Sequence, residues 1–113
     1  MRVIARSTLR EFADSLRGTK AHAPVKSALD AWFHEATKAE WKSPADVKTS
    51  YASASIVGKD RVVFNIKGND FRMVTAIDYV RQVIFVKWLG AHAEYDRIDV
   101  VTVKYADKAN SKR

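Results

Sequence analysis

Apolar residues in the first forty positions recur with a helical period, whereas beyond position 60 they alternate with polar ones. The opening "MRVIA" is short and β-branched and reads as an edge strand. In "TLREFADSLRG", Leu9, Phe12, Ala13 and Leu16 fall at i, i+3, i+4 and i+7. Thr8 and Glu11 have capping-box spacing and Gly18 offers a stop, so a first helix is predicted here. A second is predicted from near Pro24, acceptable in a first turn, to about Trp41. Its stripe is Val25, Ala28, Leu29, Trp32, Phe33 and Ala36, and the two aromatics in it read as core rather than as a platform for bases.

"KSPADVKTSYASASIVGKD" reads as a loop-like connector, anchored by Val47, Tyr51 and Ile56 and closed by a Gly58-Lys59-Asp60 turn. Between Arg61 and Leu89 three antiparallel strands are predicted, at about 61–67, 70–78 and 83–89. A charged turn or short helix follows, "VVTVKY" offers one more strand, and the last eight residues form a basic tail. The expected organisation is one domain over 1–105 and a tail over 106–113.

The hairpin "RVVFNIKGNDFRMV" carries the first chemical signal. A two-residue Gly68-Asn69 turn sets Lys67 opposite Asp70, Asn65 opposite Arg72 and Val63 opposite Val74. The alternate face pairs Ile66 with Phe71 and Phe64 with Met73, which is the side for the helices to cover. Asn65, Lys67, Asp70 and Arg72 then project from the other face. A tight connection at Val80-Arg81 would set Arg72 opposite Leu89 and Val74 opposite Lys87, bringing Lys87 to that face, with His92 and Tyr95 at its end. A one-residue slip would expose Phe64, Ile66, Phe71 and Met73, so the register is well specified.

Composition sharpens this picture. Lys and Arg outnumber Asp and Glu by 20 to 13, a formal charge of +7, and a small domain this basic commonly meets a polyanion, nucleic acid first. Hydrophobic residues make up 47% of the chain, enough to exclude intrinsic disorder. The absence of cysteine excludes disulfides, thiol nucleophiles and Cys-based zinc sites. The three histidines, His22, His34 and His92, are scattered, so neither a metal nor a cofactor is expected. No apolar run approaches the roughly 20 residues of a membrane span, and a cytoplasmic protein is expected.

A cationic sheet face rimmed by an imidazole and a phenol holds the ingredients for RNA cleavage without a metal. The ribose 2′-hydroxyl attacks phosphorus, a base takes its proton, cations stabilise the phosphorane and an acid protonates the departing 5′ oxygen. An imidazole, titrating ordinarily at about 6.5, serves either proton transfer, which suits His92. A phenol, at about 10, better serves as acid or stacking group, which suits Tyr95. Arg72 offers permanently charged planar donors for phosphate. The plainer readings are an exposed Lys67–Asp70 ion pair, Lys87 and Arg61 solvated on an open sheet, and His92 as a surface histidine.

The run "RVVFNIKGNDFRMVTAIDYVRQVIFVKWLGAHAEYDRID", with "VFNIKGN", "FRMV" and "HAEYD" in that order and spacing, strongly resembles the HigB type of toxin of bacterial type II toxin–antitoxin modules. The resemblance extends weakly upstream and covers most of residues 1–100. It implies an α+β, RelE/ParE-like fold, with two N-terminal helices packed on a twisted antiparallel sheet. It implies messenger-RNA cleavage, in many relatives on the translating ribosome. It implies a HigA-like helix-turn-helix antitoxin as partner, and contact with operator DNA only through that complex. Related toxins place a cation where Arg72 sits and further active residues where His92 and Tyr95 sit, while Lys59, Arg61 and Lys67 become candidates for RNA backbone contacts. Lys87 and Asn69, on the same hairpin face and turn, join them as candidate RNA contacts. The family often has Thr before the His, where this chain has Ala91. Two alternatives stand beside it: a ParE-type inhibitor of DNA gyrase, which shares the fold but lacks the ribonuclease constellation, and a noncatalytic RNA-binding module that uses the basic sheet face.

Overall fold

The computed structural model describes residues 1–68 and 70–104. The chain runs β1 (Arg2–Ile4), α1 (Arg6–Ser15), α2 (His22–Lys38), α3 (Pro44–Ser50), β2 (Ser55–Val57), β3 (Arg61–Ile66), β4 (Phe71–Asp78), β5 (Val83–Ala91) and α4 (His92–Tyr95). The five strands form one sheet in the order β1-β5-β4-β3-β2.

The class is α+β, as expected, but the sheet is mixed rather than antiparallel. β1 is an edge strand that runs parallel to β5, pairing Arg2 with Val83 and Ile4 with Phe85. Three residues of β-branched sequence say nothing about which strand they join. The N-terminus fixes that choice: its ammonium donates to the carbonyls of Ala36, Thr37 and Ala39 at 3.1, 3.0 and 2.7 Å. These acceptors close the C-terminal end of α2, where the helix dipole favours a cation.

Both predicted helices are present with shifted ends. α1 begins at Arg6 behind Ala5, with no side-chain cap, so Thr8 and Glu11 lie inside the helix instead of capping it. α2 stops at Lys38, before Trp41. The connector is more ordered than a loop. Ser43 caps α3 by accepting from the Asp46 amide, Pro44 opens its first turn, and Val47 is buried. β2 then pairs with β3.

The inner face of the sheet packs against the helices. Phe64 lies at its centre, edge-on to Trp32 (5.4 Å between centroids) and to Tyr51 (5.2 Å), and stacked with Trp41 at 6.2 Å. Met73, Ile77, Ile84, Val86 and Leu89 continue this core along β4 and β5. The β3–β4 register is the one the pattern predicts: Asn65 pairs with Arg72, Phe64 with Met73, Ile66 with Phe71.

The β4–β5 register follows the prediction from Thr75–Val86 to Asp78–Val83 and departs from it toward the hairpin. The pairing shifts between Val74 and Thr75: Val74 faces Trp88, Thr75 faces Val86, and Lys87 is the extra residue of a bulge. Arg72 consequently faces Gly90 instead of Leu89, and β5 continues to Ala91. Trp88 is turned to the outer face, where it forms a second small core with Val63, Val74 and Val103.

"VVTVKY" does not add a strand within the described residues, which end at Lys104. Residues 100–102 form a turn, and Val100 and Val103 lie over the outer face of the sheet. The expected basic tail, 106–113, lies outside the described residues.

Candidate active site on the outer sheet face

The site begins with a turn. Lys67 and Gly68 both have positive φ, 53° and 63°, and the Asp70 amide donates to the Lys67 carbonyl at 3.2 Å. Glycine adopts this conformation at no steric cost, so Gly68 lets β4 fold straight back on β3. Across the turn the Lys67 ammonium lies 3.0 Å from a carboxylate oxygen of Asp70, an exposed pair contributing under ~1 kcal/mol. One residue on, the Asp70 carbonyl accepts from the backbone amide of His92 at 3.0 Å. That bond ties the start of β4 to the start of α4, and so sets His92 beside the strand that carries Arg72.

α4 is a single helical turn held at its start by Glu94, whose Oε1 accepts from the Ala91 amide at 3.1 Å. Its second anchor is Tyr95, packed beside the Trp88 ring at 6.3 Å between centroids. The Arg72 guanidinium lies over the same Tyr95 ring, 5.3 Å from its centroid, a cation–π contact on the outer face. Arg72 is half-buried, its Nε meets no acceptor among the described residues, and no carboxylate among them lies within ion-pair distance of it. A planar cation is thus held by aromatic and backbone packing with its charge uncompensated, which suits an anionic ligand. His92 is exposed, with Nδ1 3.6 Å from Asp96 Oδ2. That carboxylate lies on the Nδ1 side of the ring.

Gly90, opposite Arg72, has a steric reason to be glycine. A Cβ there would stand 2.6 Å from two atoms of the Trp88 ring and 3.1 Å from Glu94 Oε1. The indole crosses the strand at this point, and any side chain would displace it.

The structure brings together Arg72, His92, Tyr95 and Lys67 at the hairpin end of the outer face, with Asn65 half-buried on the neighbouring strand. It separates the remaining candidates. Lys59 is exposed in the turn before β3, and Arg61 pairs with Ala76, four residues from Arg72 along β4, roughly 14 Å at strand spacing. Arg61 is not a solvated cation on an open face: it is 8% exposed and donates to the Val103 carbonyl at 2.7 Å. Its charge holds down the C-terminal segment, which turns the expected open sheet into a partly covered one. That burial leaves little of the guanidinium open to an RNA backbone. Lys87 lies at mid-sheet with its ammonium 5.1 Å from the Phe85 ring centroid. Asn69 lies outside the described residues.

Trp88, Gly90 and Glu94 are the residues that sequence reasoning missed. Strict alternation puts Trp88 in the inner core, and only the bulge at Lys87 turns it outward. The trace left in the sequence is Gly90 two positions after a large aromatic, a place where something crosses the backbone closely.

With this geometry in place, comparison with known families gives a match. The family model for HigB toxins, described as a RelE-like toxic component of a toxin–antitoxin system, matches residues 25–98. The chain belongs to the HigB toxin family. It is therefore the toxin component of a toxin–antitoxin system, and its partner is an antitoxin. The match spans α2 to α4, so all of the gathered residues fall within it. No curated protein matches the chain. No helix among the described residues of this HigB toxin is long and apolar enough to cross a membrane.

Proposed function

We propose that this toxin is a cytoplasmic endoribonuclease that cleaves messenger RNA on the translating ribosome, with Arg72, His92 and Tyr95 as its catalytic residues. The observation that carries the reading is the Arg72 guanidinium, uncompensated by any carboxylate among the described residues, lying 5.3 Å over the ring of Tyr95 on the same short helix as His92. Binding alone does not require an imidazole at the rim; proton transfer does.

In this reading His92 Nε2 takes the proton of the ribose 2′-hydroxyl, with Asp96 on the Nδ1 side holding the ring. The 2′ oxygen attacks phosphorus, and Arg72 donates to the nonbridging oxygens as charge builds on the phosphorane. The P–O5′ bond breaks, and Tyr95 gives its proton to the leaving oxygen. The products are a 2′,3′-cyclic phosphate and a 5′-hydroxyl. Lys67 contacts the RNA backbone after exchanging Asp70 for phosphate. Lys87 and Lys59, further along the sheet, follow the strand outward. The partner is a HigA-like antitoxin with a helix-turn-helix domain, through which the complex reaches operator DNA.

Primer extension on an abundant transcript after brief induction, with and without a translation inhibitor, tests the reading. New 5′ ends that vanish with the inhibitor support cleavage coupled to translation. Intact transcripts with altered DNA supercoiling would replace it with gyrase inhibition.

A further inference from the structure

Beside β1, the outer face of the sheet carries an aromatic ring that neither core uses. Phe85 sits on β5 between Ile84 and Val86, which point into the inner core, so its own side chain projects outward. It pairs with Ala76 on β4 and with Ile4 on β1. Alanine is too small to cover the ring, and Ile4 is itself 37% exposed. Phe85 and the next residue on that face, Val83, are only half-buried. Among the described residues Phe85 joins neither the core beneath the sheet nor the Trp88 cluster. Lys87 stands over it, the ammonium 5.1 Å from the ring centroid, with no carboxylate within ion-pair distance among the described residues.

Placement selects what such a ring receives. Ala76 lies four residues from Arg72 along β4, roughly 14 Å at strand spacing, so Phe85 and Arg72 share one face. Lys87 lies between the two along β5. An RNA strand with its scissile phosphate at Arg72 and its path along β5 therefore passes Lys87 before it reaches the ring. Phosphate and base alternate along that strand, so a cation beside an aromatic face meets both parts of one nucleotide. Beyond the ring stands Asp78, opposite Val83, whose carboxylate accepts from the Arg81 amide at 2.9 Å. Its charge repels a further phosphate, which ends the track at Phe85. We propose that Phe85 is a stacking platform for one nucleobase of the RNA substrate, and that Lys87 leaves the ring for the phosphate of that nucleotide. A cation–π contact at an exposed site is weak beside a charge-assisted bond to phosphate, so the exchange opens the ring to the base. Every base has a π face, so the platform tolerates any sequence. Resting on the RNA-cleavage reading, it adds to that reading a binding subsite away from the reacting atoms.

The test measures the affinity of purified toxin for a single-stranded 2′-O-methyl oligoribonucleotide, which cannot be cut, and for the same strand without its bases. Wild type, Phe85→Leu and Phe85→Trp are compared, with antitoxin affinity measured alongside. Leucine keeps apolar cover and removes the π face. Phe85→Leu is expected to bind the base-bearing strand about 10-fold more weakly than wild type, and the abasic strand equally well. Phe85→Trp should bind the base-bearing strand at least as tightly as wild type. Base-bearing affinity of Phe85→Leu within twofold of wild type would overturn the platform, and wild-type cleavage of a transcript would show that the cleavage reading survives it. Loss of antitoxin affinity with RNA affinity kept would also overturn it, making the patch a protein contact. A wild type that neither binds nor cuts RNA would remove the cleavage reading, and the platform with it. Should Phe85→Leu fail to fold, Phe85→Trp decides: a larger penalty for removing the bases than in wild type supports the platform, and an equal one overturns it.

Discussion

The two faces of this one sheet are built to different rules. The inner face is closed by aromatic and aliphatic packing under the helices, with Thr75 its buried polar residue, satisfied by donating to the Val62 carbonyl at 2.8 Å. The outer face has its apolar cluster where Trp88, Val63 and Val74 meet the C-terminal segment. Toward the hairpin it changes to Arg72, Tyr95, His92 and Lys67, groups that are half-buried or exposed and, in the case of Arg72, uncompensated. In the proposed reading the difference separates stability from activity within a single strand: Met73 faces in and Arg72 faces out, one residue apart.

Substitutions on the two faces break the comparison in opposite directions. Arg72→Ala is expected to lower RNA cleavage on the order of 10²–10³-fold, measured on a defined transcript, while leaving the urea midpoint nearly unchanged. Phe64→Ala, in the middle of the inner core, is expected to cost about 3–5 kcal/mol in chemical denaturation. A stable Phe64→Ala protein, or an Arg72→Ala protein that unfolds, would erase the division.

Gly90→Ala probes the boundary. The added methyl group collides with the Trp88 ring and shifts Tyr95, so cleavage should fall by about 10-fold or more at a stability cost of about 1–3 kcal/mol. Arg61→Met removes the charged donor from the Val103 carbonyl. A loss of about 1.5–3 kcal/mol is expected, with cleavage within about threefold of wild type, because the buried guanidinium holds the covering segment.

The smallest effect belongs to the inner side. Burial and the 2.6 Å hydrogen bond it donates to Glu35 raise the Tyr51 phenol pKa well above its ordinary value. The folded state therefore keeps the proton where the unfolded chain releases it. This contribution is complete below about pH 10 and shrinks as pH rises further. Urea midpoints of wild type and Tyr51→Phe should converge above that pH; a constant difference would contradict the assignment. Tyr79, also raised by burial, is common to both proteins and cancels.

How much of this was legible in the sequence follows from the range of each interaction. The hairpin was, because Gly68 fixes the turn and the alternation of Phe64, Asn65 and Ile66 fixes the face. The helices were, from their apolar spacing, though not their ends. β1 was legible as an edge strand but not as a parallel one, and the short β2 was not legible at all, since three-residue strands take their partners from the rest of the fold. Nor was the bulge at Lys87, which no periodicity announces and which moved Trp88 from one face to the other. The candidate site divides the same way: Arg72 follows from local register, whereas burial of Arg61 depends on a segment some forty residues downstream.

The most direct measurement is end analysis of RNA cleaved by purified toxin in a translating extract, for wild type, Arg72→Ala and His92→Gln. Wild type is expected to leave 2′,3′-cyclic phosphate and 5′-hydroxyl ends, and both folded variants to leave the RNA intact. Cleavage by Arg72→Ala at the wild-type rate, or 5′-phosphate ends from wild type, would contradict this mechanism.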